Sequence, residues 1–126
     1  METILVVDDE PTVLLYCERV LELAGYRVAQ ARSGQEALRV SQGLKHPIDL
    51  ALLDVMMPGM NGIELATHLR AAQPNLPIVL MSGFGPQEIG RVVGEHSYRI
   101  VWKPFQRDSL LRMIDNARGV SADTET

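Results

Sequence analysis

Two rhythms of apolar residues alternate along this chain. Runs of mainly apolar residues from Thr3 to Val7, Asp49 to Asp54 and Leu76 to Met81 fit strands buried on both faces. Tyr26 to Ala31 and Tyr98 to Trp102 complete a set of five strands. Between the runs, apolar residues recur at helical spacing. Val13, Cys17, Val20, Leu21 and Ala24 follow Pro11, which suits the first helical turn because the N–H it lacks has no partner there. Gly25 stands where a left-handed C-cap is wanted. Ser33 with Glu36 reads as a capping box opening a second helix through Ala37, Leu38 and Val40, closed by Lys45-His46-Pro47. Asn61 with Glu64 opens a third, carried by Ile63, Leu65, Ala66 and Leu69 to about Ala72. Pro86 to Glu95 fits a fourth helix with Ile89, Val92 and Val93 inward. Gly90 and Gly94 each cost it roughly 1 kcal/mol relative to alanine, so it should be the loosest helix. A fifth runs from about Gln106 to Arg118 on Leu110, Leu111, Ile114 and Ala117, with Gly119 at its end.

This alternation predicts an α/β fold: a doubly wound, five-stranded parallel sheet with helices on both faces. The chain reads as one domain over residues 1–119 with a polar tail over 120–126. Composition narrows the picture. With 46% hydrophobic and 5% aromatic residues, the core must be aliphatic. A net charge of -4 without any basic run argues against a nucleic-acid surface. The one cysteine, Cys17, lies on the apolar face of the first helix, so burial explains it better than reactivity; it fits a reducing cytoplasm. No apolar run approaches the roughly 20 residues needed to span a bilayer, and no basic segment precedes the first run as in a signal peptide. A cytoplasmic location and no membrane contact are expected.

Four of the five strands stop at a residue suited to chemistry: Asp8-Asp9, Asp54, Ser82 and Lys103. The exception, around Val28 to Ala31, reads as an edge strand. After Asp54, the turn signal Pro58-Gly59 with Asn61-Gly62 rules out any continuation of the strand. In a parallel sheet the four ends share one rim, where doubly wound folds bind ligands. Three carboxylates brought together repel unless a cation compensates. Oxygen donors with room for water suit Mg²⁺, and Mn²⁺ meets the same donors. Lys103 adds a positive charge for phosphate oxygens and Ser82 a hydroxyl donor; together they describe acyl-phosphate formation at Asp54. Each residue alone has an ordinary explanation: Asp8 and Asp9 as helix caps, Asp54 as a turn residue, Lys103 and Ser82 as solvated strand ends. Coincidence at four ends of one rim is harder to sustain.

These residues resemble a known family. Val6-Val7-Asp8-Asp9-Glu10-Pro11, Leu52-Leu53-Asp54-Val55-Met56-Met57-Pro58-Gly59-Met60-Asn61-Gly62, Leu80-Met81-Ser82-Gly83 and Lys103-Pro104-Phe105 are similar to the receiver domain of two-component response regulators. The motifs occur in order from about Thr3 to Arg118. The resemblance implies a flavodoxin-like strand order 2-1-3-4-5. It makes Asp54 the phosphoacceptor, fed by a phosphohistidine on a histidine kinase or histidine phosphotransfer protein. It makes Asp9 and Asp54 direct Mg²⁺ ligands, with Asp8 acting mainly through water and the Met56 carbonyl completing the site. Ser82 and Lys103 would contact the phosphoryl group, and Pro104 is typically cis in the family. The implied output is a downstream protein target read by the surface of helix 4, strand 5 and helix 5. Beyond transferring and losing the phosphoryl group, no enzyme activity is implied.

The chain also departs from the family pattern. Ile100 stands where many receivers carry an aromatic switch residue, so signalling should rest on repositioning of Ser82 to Glu95. Met56 and Phe84 are apolar at positions that, by resemblance, flank attacking water, which predicts slow hydrolysis of phosphorylated Asp54. Met81-Ser82-Gly83 with Lys103-Pro104-Phe105 is similar to receivers of hybrid histidine kinases; a free-standing regulator and a piece of a larger protein fit the same residues. Two other functions compete. A binding module that no longer takes phosphate is opposed by the intact Asp8, Asp9, Asp54 and Lys103. A flavin- or nucleotide-binding domain is opposed by Glu88 and Pro86, which spoil the glycine pattern after Gly83. The carboxylate-nucleophile phosphatases need an Asp where Met56 stands. His46, His68 and His96 lack metal-ligand spacing, Met56, Met57 and Met60 read as loop packing, and Trp102 reads as packing away from Lys103.

Overall fold

The structure is a computed structural model that describes residues 1–94 and 98–119. Its elements are β1 (Thr3–Val7), α1 (Pro11–Leu23), β2 (Arg27–Ala31), α2 (Gly34–Gly43), β3 (Leu50–Asp54), α3 (Gly62–Ala72), β4 (Ile78–Ser82), α4 (Pro86–Val93), β5 (Arg99–Trp102) and α5 (Arg107–Ala117). The strands form one parallel sheet in the order β2-β1-β3-β4-β5. The doubly wound fold and its strand order are therefore as expected. The tail over 120–126, His96 and the expected last residue of the fourth helix, Glu95, lie outside the described residues.

Burial follows from this order. β1, β3 and β4 lie inside the sheet and are buried at every position, which explains their unbroken apolar runs. Successive side chains point to opposite faces, so each central strand feeds two cores. Leu5, Val7, Ala51, Leu53 and Leu80 pack with Ala37 of α2, Leu65 and Leu69 of α3, and Ile89 of α4. Ile4, Val6, Leu50, Leu52 and Met81 pack with Leu14 and Cys17 of α1 and Leu110 and Ile114 of α5. Each such leucine or isoleucine contributes about 1.5–3 kcal/mol on burial, so these two layers carry most of the stability. Burial also pushes the Cys17 thiol up to about 12, with the Asp8 charge adding to the effect, so it stays protonated and packs as an apolar side chain.

Local details correct several expectations. The inward residue in the first turn of α1 is Leu14; Val13 is only half-buried and Ala24 is exposed. Gly25 has φ +99 and so takes the left-handed position after α1. The Ser33 side chain caps α2 by accepting from the Glu36 N–H, but Glu36 accepts from the Arg32 N–H, one residue earlier than a capping box requires. Asn61 and Glu64 do form the full box at α3. β4 starts two residues later than expected, at Ile78: the Leu76 N–H still closes the turn onto the Gln73 carbonyl, and Pro77 has no N–H for the ladder although its carbonyl accepts from Ala51. Trp102 closes the edge strand β5 and keeps 40% of its surface exposed, so it packs only in part.

Candidate functional site

The site grows from the carboxyl ends of the strands. Asp8 directly follows β1, Asp54 and Ser82 are the last residues of β3 and β4, and Lys103 directly follows β5. Because the strands are parallel, these ends lie on one rim. The ladder continues past them: Val55 N–H donates to the Met81 carbonyl at 3.0 Å and Lys103 N–H to the Ser82 carbonyl at 2.7 Å. The Lys103–Pro104 peptide bond is cis. Asp8, Asp54 and Ser82 are the polar residues buried here, at 0%, 5% and 1% exposure, while Asp9 is exposed. Buried polar groups need partners, and theirs define the chemistry.

Lys103 Nζ is the hub. It lies 2.7 Å from Asp8 Oδ2, 3.4 Å from Asp54 Oδ1 and 3.6 Å from Glu10 Oε1. Burial alone would lower the Lys103 ammonium, but its bond to Asp8 and the charges of Asp54 and Asp8 outweigh this and raise it. Asp8 also accepts from the Glu10 N–H through Oδ1 at 2.9 Å. The cap of α1 is Glu10, with no side-chain cap bond, so the reading of Asp8 and Asp9 as helix caps is not what the geometry shows. Glu10 itself is a site residue that the motifs did not single out; the run Asp8-Asp9-Glu10 was its signal.

One carboxylate oxygen from each of Asp8, Asp9 and Asp54 falls within 4.8 Å of the others. Burial, and after it the charge of Asp8, pushes the Asp54 carboxyl up to about 7, while Lys103 pulls against the rise. One ammonium does not balance these carboxylates. An all-oxygen donor set with a deficit of positive charge fits a hard divalent cation. Removing Lys103 from two buried carboxylates would be costly, since a buried ion pair stripped of one partner loses about 3–5 kcal/mol.

Ser82 shares the rim but does not bond to Asp54. Its Oγ accepts from the Phe84 N–H at 3.0 Å and donates to the Phe84 carbonyl at 3.3 Å, folding the β4–α4 loop onto itself. Met56 and Phe84 are exposed, at 44% and 48%, beside the rim. The loop-packing reading thus holds for buried Met57 and half-buried Met60 but not for the Met56 side chain. His46 and His68 are exposed, on the α2–β3 loop and on α3, away from this rim. Ile100 is half-buried within β5. Among the described residues, no helix is long and apolar enough to cross a membrane.

The chain is similar to known proteins over most of its length. Residues 4–115 match the family model of the response regulator receiver domain. The chain is 33% identical over 113 residues to the sensor kinase CckA of Brucella abortus, covering 89% of this chain and 12% of that protein. It is 31% identical over 121 residues to the transcriptional regulatory protein GlrR of Escherichia coli, covering 94% of this chain and 27% of that protein. The chain thus spans about an eighth and a quarter of these two relatives' lengths. Among solved structures, the chemotaxis protein CheY4 of Vibrio cholerae is 30% identical, with a TM-score of 0.80 over 93% of this chain and 98% of that one. The chain belongs to the response regulator receiver domain family of two-component signalling systems.

Proposed function

We propose that Asp54 accepts a phosphoryl group from the phosphohistidine of a histidine kinase or histidine phosphotransfer protein. A carboxylate oxygen of Asp54 attacks phosphorus, the phosphorus–nitrogen bond breaks, and the imidazole leaves with a proton. Lys103 pairs with the incoming phosphoryl oxygens, and the Ser82 hydroxyl donates to one of them after giving up its bond to the Phe84 carbonyl. Asp8, Asp9, Asp54 and the Met56 carbonyl would hold Mg²⁺, with Mn²⁺ as a substitute. That ion would supply the positive charge that the carboxylates and the phosphoryl oxygens together require. The observation that carries this reading is the position of Asp54: buried at a strand end, 3.4 Å from Lys103 Nζ, inside a cluster of three carboxylates.

The output follows from what the phosphoryl group would pull. Engaging Ser82 draws on the β4–α4 loop and α4, biasing the surface of α4, β5 and α5 between two states that a downstream protein reads. With Ile100 inside β5 and no ring to reorient, the loop and helix carry the change. The functional unit is residues 1–119, and the domain works in the cytoplasm, where its kinase presents the phosphohistidine. The test is incubation with a small phosphodonor and Mg²⁺. An acid-stable, base-labile adduct is expected, absent without the metal and absent in Asp54→Asn. No adduct from a folded protein would favour a binding module that has lost phosphorylation.

A further inference from the structure

The loop between β3 and α3 connects Asp54 to Asn61 and carries Met56. Its two ends are tied together, with Gly62 N–H donating to the Val55 carbonyl at 2.9 Å. Two glycines admit it where no larger residue fits. A Cβ on Gly62 would overlap the Asp54 carbonyl oxygen and reach 3.0 Å from both the Asp54 carbonyl carbon and Val55 Cα. The second glycine is remote in sequence. Gly34, the first residue of α2, lies directly under the Met60 side chain. A Cβ there would sit 2.7 Å from Met60 Sδ, 2.8 Å from its Cβ and 3.0 Å from its Cγ.

Contact with the tip of a methionine could be relieved by a rotamer change. Contact with Met60 Cβ cannot, because that atom moves only with the loop backbone. Met60 is half-buried and packs against the core layer that also holds Ala31, Ala37 and buried Met57. Helix propensity gives no reason for a glycine at Gly34, since its backbone is not left-handed and alanine is the better helix former.

We infer that Gly34 and Met60 are positioning residues: the close seat of Met60 on Gly34 fixes the β3–α3 loop, and through it the backbone around Asp54 and Met56 that the proposed metal site needs. This inference rests on the proposed function for its metal readout but not for its structural one. Loss of the outer-shell support that orients metal ligands costs about 10–100-fold in affinity, which sets the upper scale for a displaced loop.

The experiment compares wild type, Gly34→Ala, Met60→Gly and the double variant by calorimetric titration with Mg²⁺ alone, and by backbone amide NMR without metal. Gly34→Ala should weaken Mg²⁺ about tenfold and shift the amides of residues 54–62. In the Met60→Gly background the same methyl should change neither, because glycine removes the Sδ, Cγ and Cβ atoms that it would meet. Gly34→Ala with wild-type affinity and unmoved loop amides overturns the inference, and so does an equal penalty in both backgrounds. If wild type does not bind Mg²⁺, the functional reading fails, and the amide shifts alone decide the positioning claim. If Gly34→Ala does not fold, a double variant that folds with the amide spectrum of Met60→Gly supports the inference, and a double variant that is also unfolded overturns it.

Discussion

Asp54 and Ser82 end neighbouring strands, yet the segments that follow them are built in opposite ways. After Asp54, the chain makes a loop seated on Gly34 and enters α3, whose start carries a full capping box and whose inner face buries Ile63, Leu65, Ala66 and Leu69. After Ser82, the loop is held by Ser82 bonding to Phe84, and α4 starts at Gly85 without a side-chain cap. α4 spans 8 residues, buries only Ile89 and Val93, and ends at Gly94 with φ +65. The site thus joins a rigid arm to a loose one. A carboxylate proposed to attack phosphorus and to hold a cation belongs on the rigid arm. Elements that move are drawn from the low-stability end of a fold, and α4 is that end here.

The largest expected effect lies at Asp54. A carboxyl whose folded pKa is above its unfolded value opposes folding once it ionises. The cost is absent below the unfolded value near 3.8, grows as pH rises, and is complete above about 7. In metal-free protein at pH 8, Asp54→Asn should therefore be more stable than wild type by on the order of 2–4 kcal/mol, and the gain should vanish near pH 4. Denaturation in the presence of a chelator measures this; a gain independent of pH would show that Asp54 is not held at its folded-state cost.

Next come the helix glycines, for which the two arms predict opposite signs. Gly62→Ala should destabilise by about 1–3 kcal/mol, since its methyl meets the backbone of Asp54 and Val55. Gly90→Ala, in the middle of α4 with open space around it, should stabilise by about 0.5–1 kcal/mol. Amide exchange should be faster through α4 than through α3, and Gly90→Ala should narrow that gap. Equal exchange in both helices of wild type would remove the distinction between the arms.

A smaller effect is expected on the lifetime of the proposed phosphoryl group. Met56 and Phe84, each two residues beyond a strand end of the rim, are exposed apolar side chains. Met56→Asn with Phe84→Glu should speed dephosphorylation about tenfold, equivalent to about 1.4 kcal/mol of barrier. Decay of the adduct at an unchanged rate would count against both positions. The smallest effects concern caps. Asn61→Ala should cost about 1 kcal/mol, whereas Gly85→Ser should gain a few tenths at most, since glycine is already a tolerable N-cap. Thermal melts of the two variants test whether capping contributes to the contrast.

Much of this was legible in the chain. The unbroken runs around Val6, Leu52 and Leu80 identify strands inside a parallel sheet, because only there are both faces of a strand buried. Strand ends were legible too: once the strands are parallel, Asp8, Asp54, Ser82 and Lys103 must share a rim. Sequence failed where a property depends on what arrives from elsewhere. Ser33–Glu36 and Asn61–Glu64 have the same spacing, but only the second closes its box; at the first, the chain presents the Arg32 N–H to Glu36 instead. Trp102 alternates away from Lys103 and so suggested packing, but how much of it is covered depends on neighbours from elsewhere, and 40% stays exposed.

The sequence by itself determined the periodicities, and with them the elements, the sheet type and the residues at the rim, because burial on two faces and turn chemistry are local requirements. Only the tertiary structure decided the distances. It brought Lys103 to 2.7 Å from Asp8 across 95 positions of chain, pushed Asp54 up through burial beside that pair, and set Met60 against Gly34. These are through-space contacts between segments that no window of sequence contains, and close packing and charge act on distance in space.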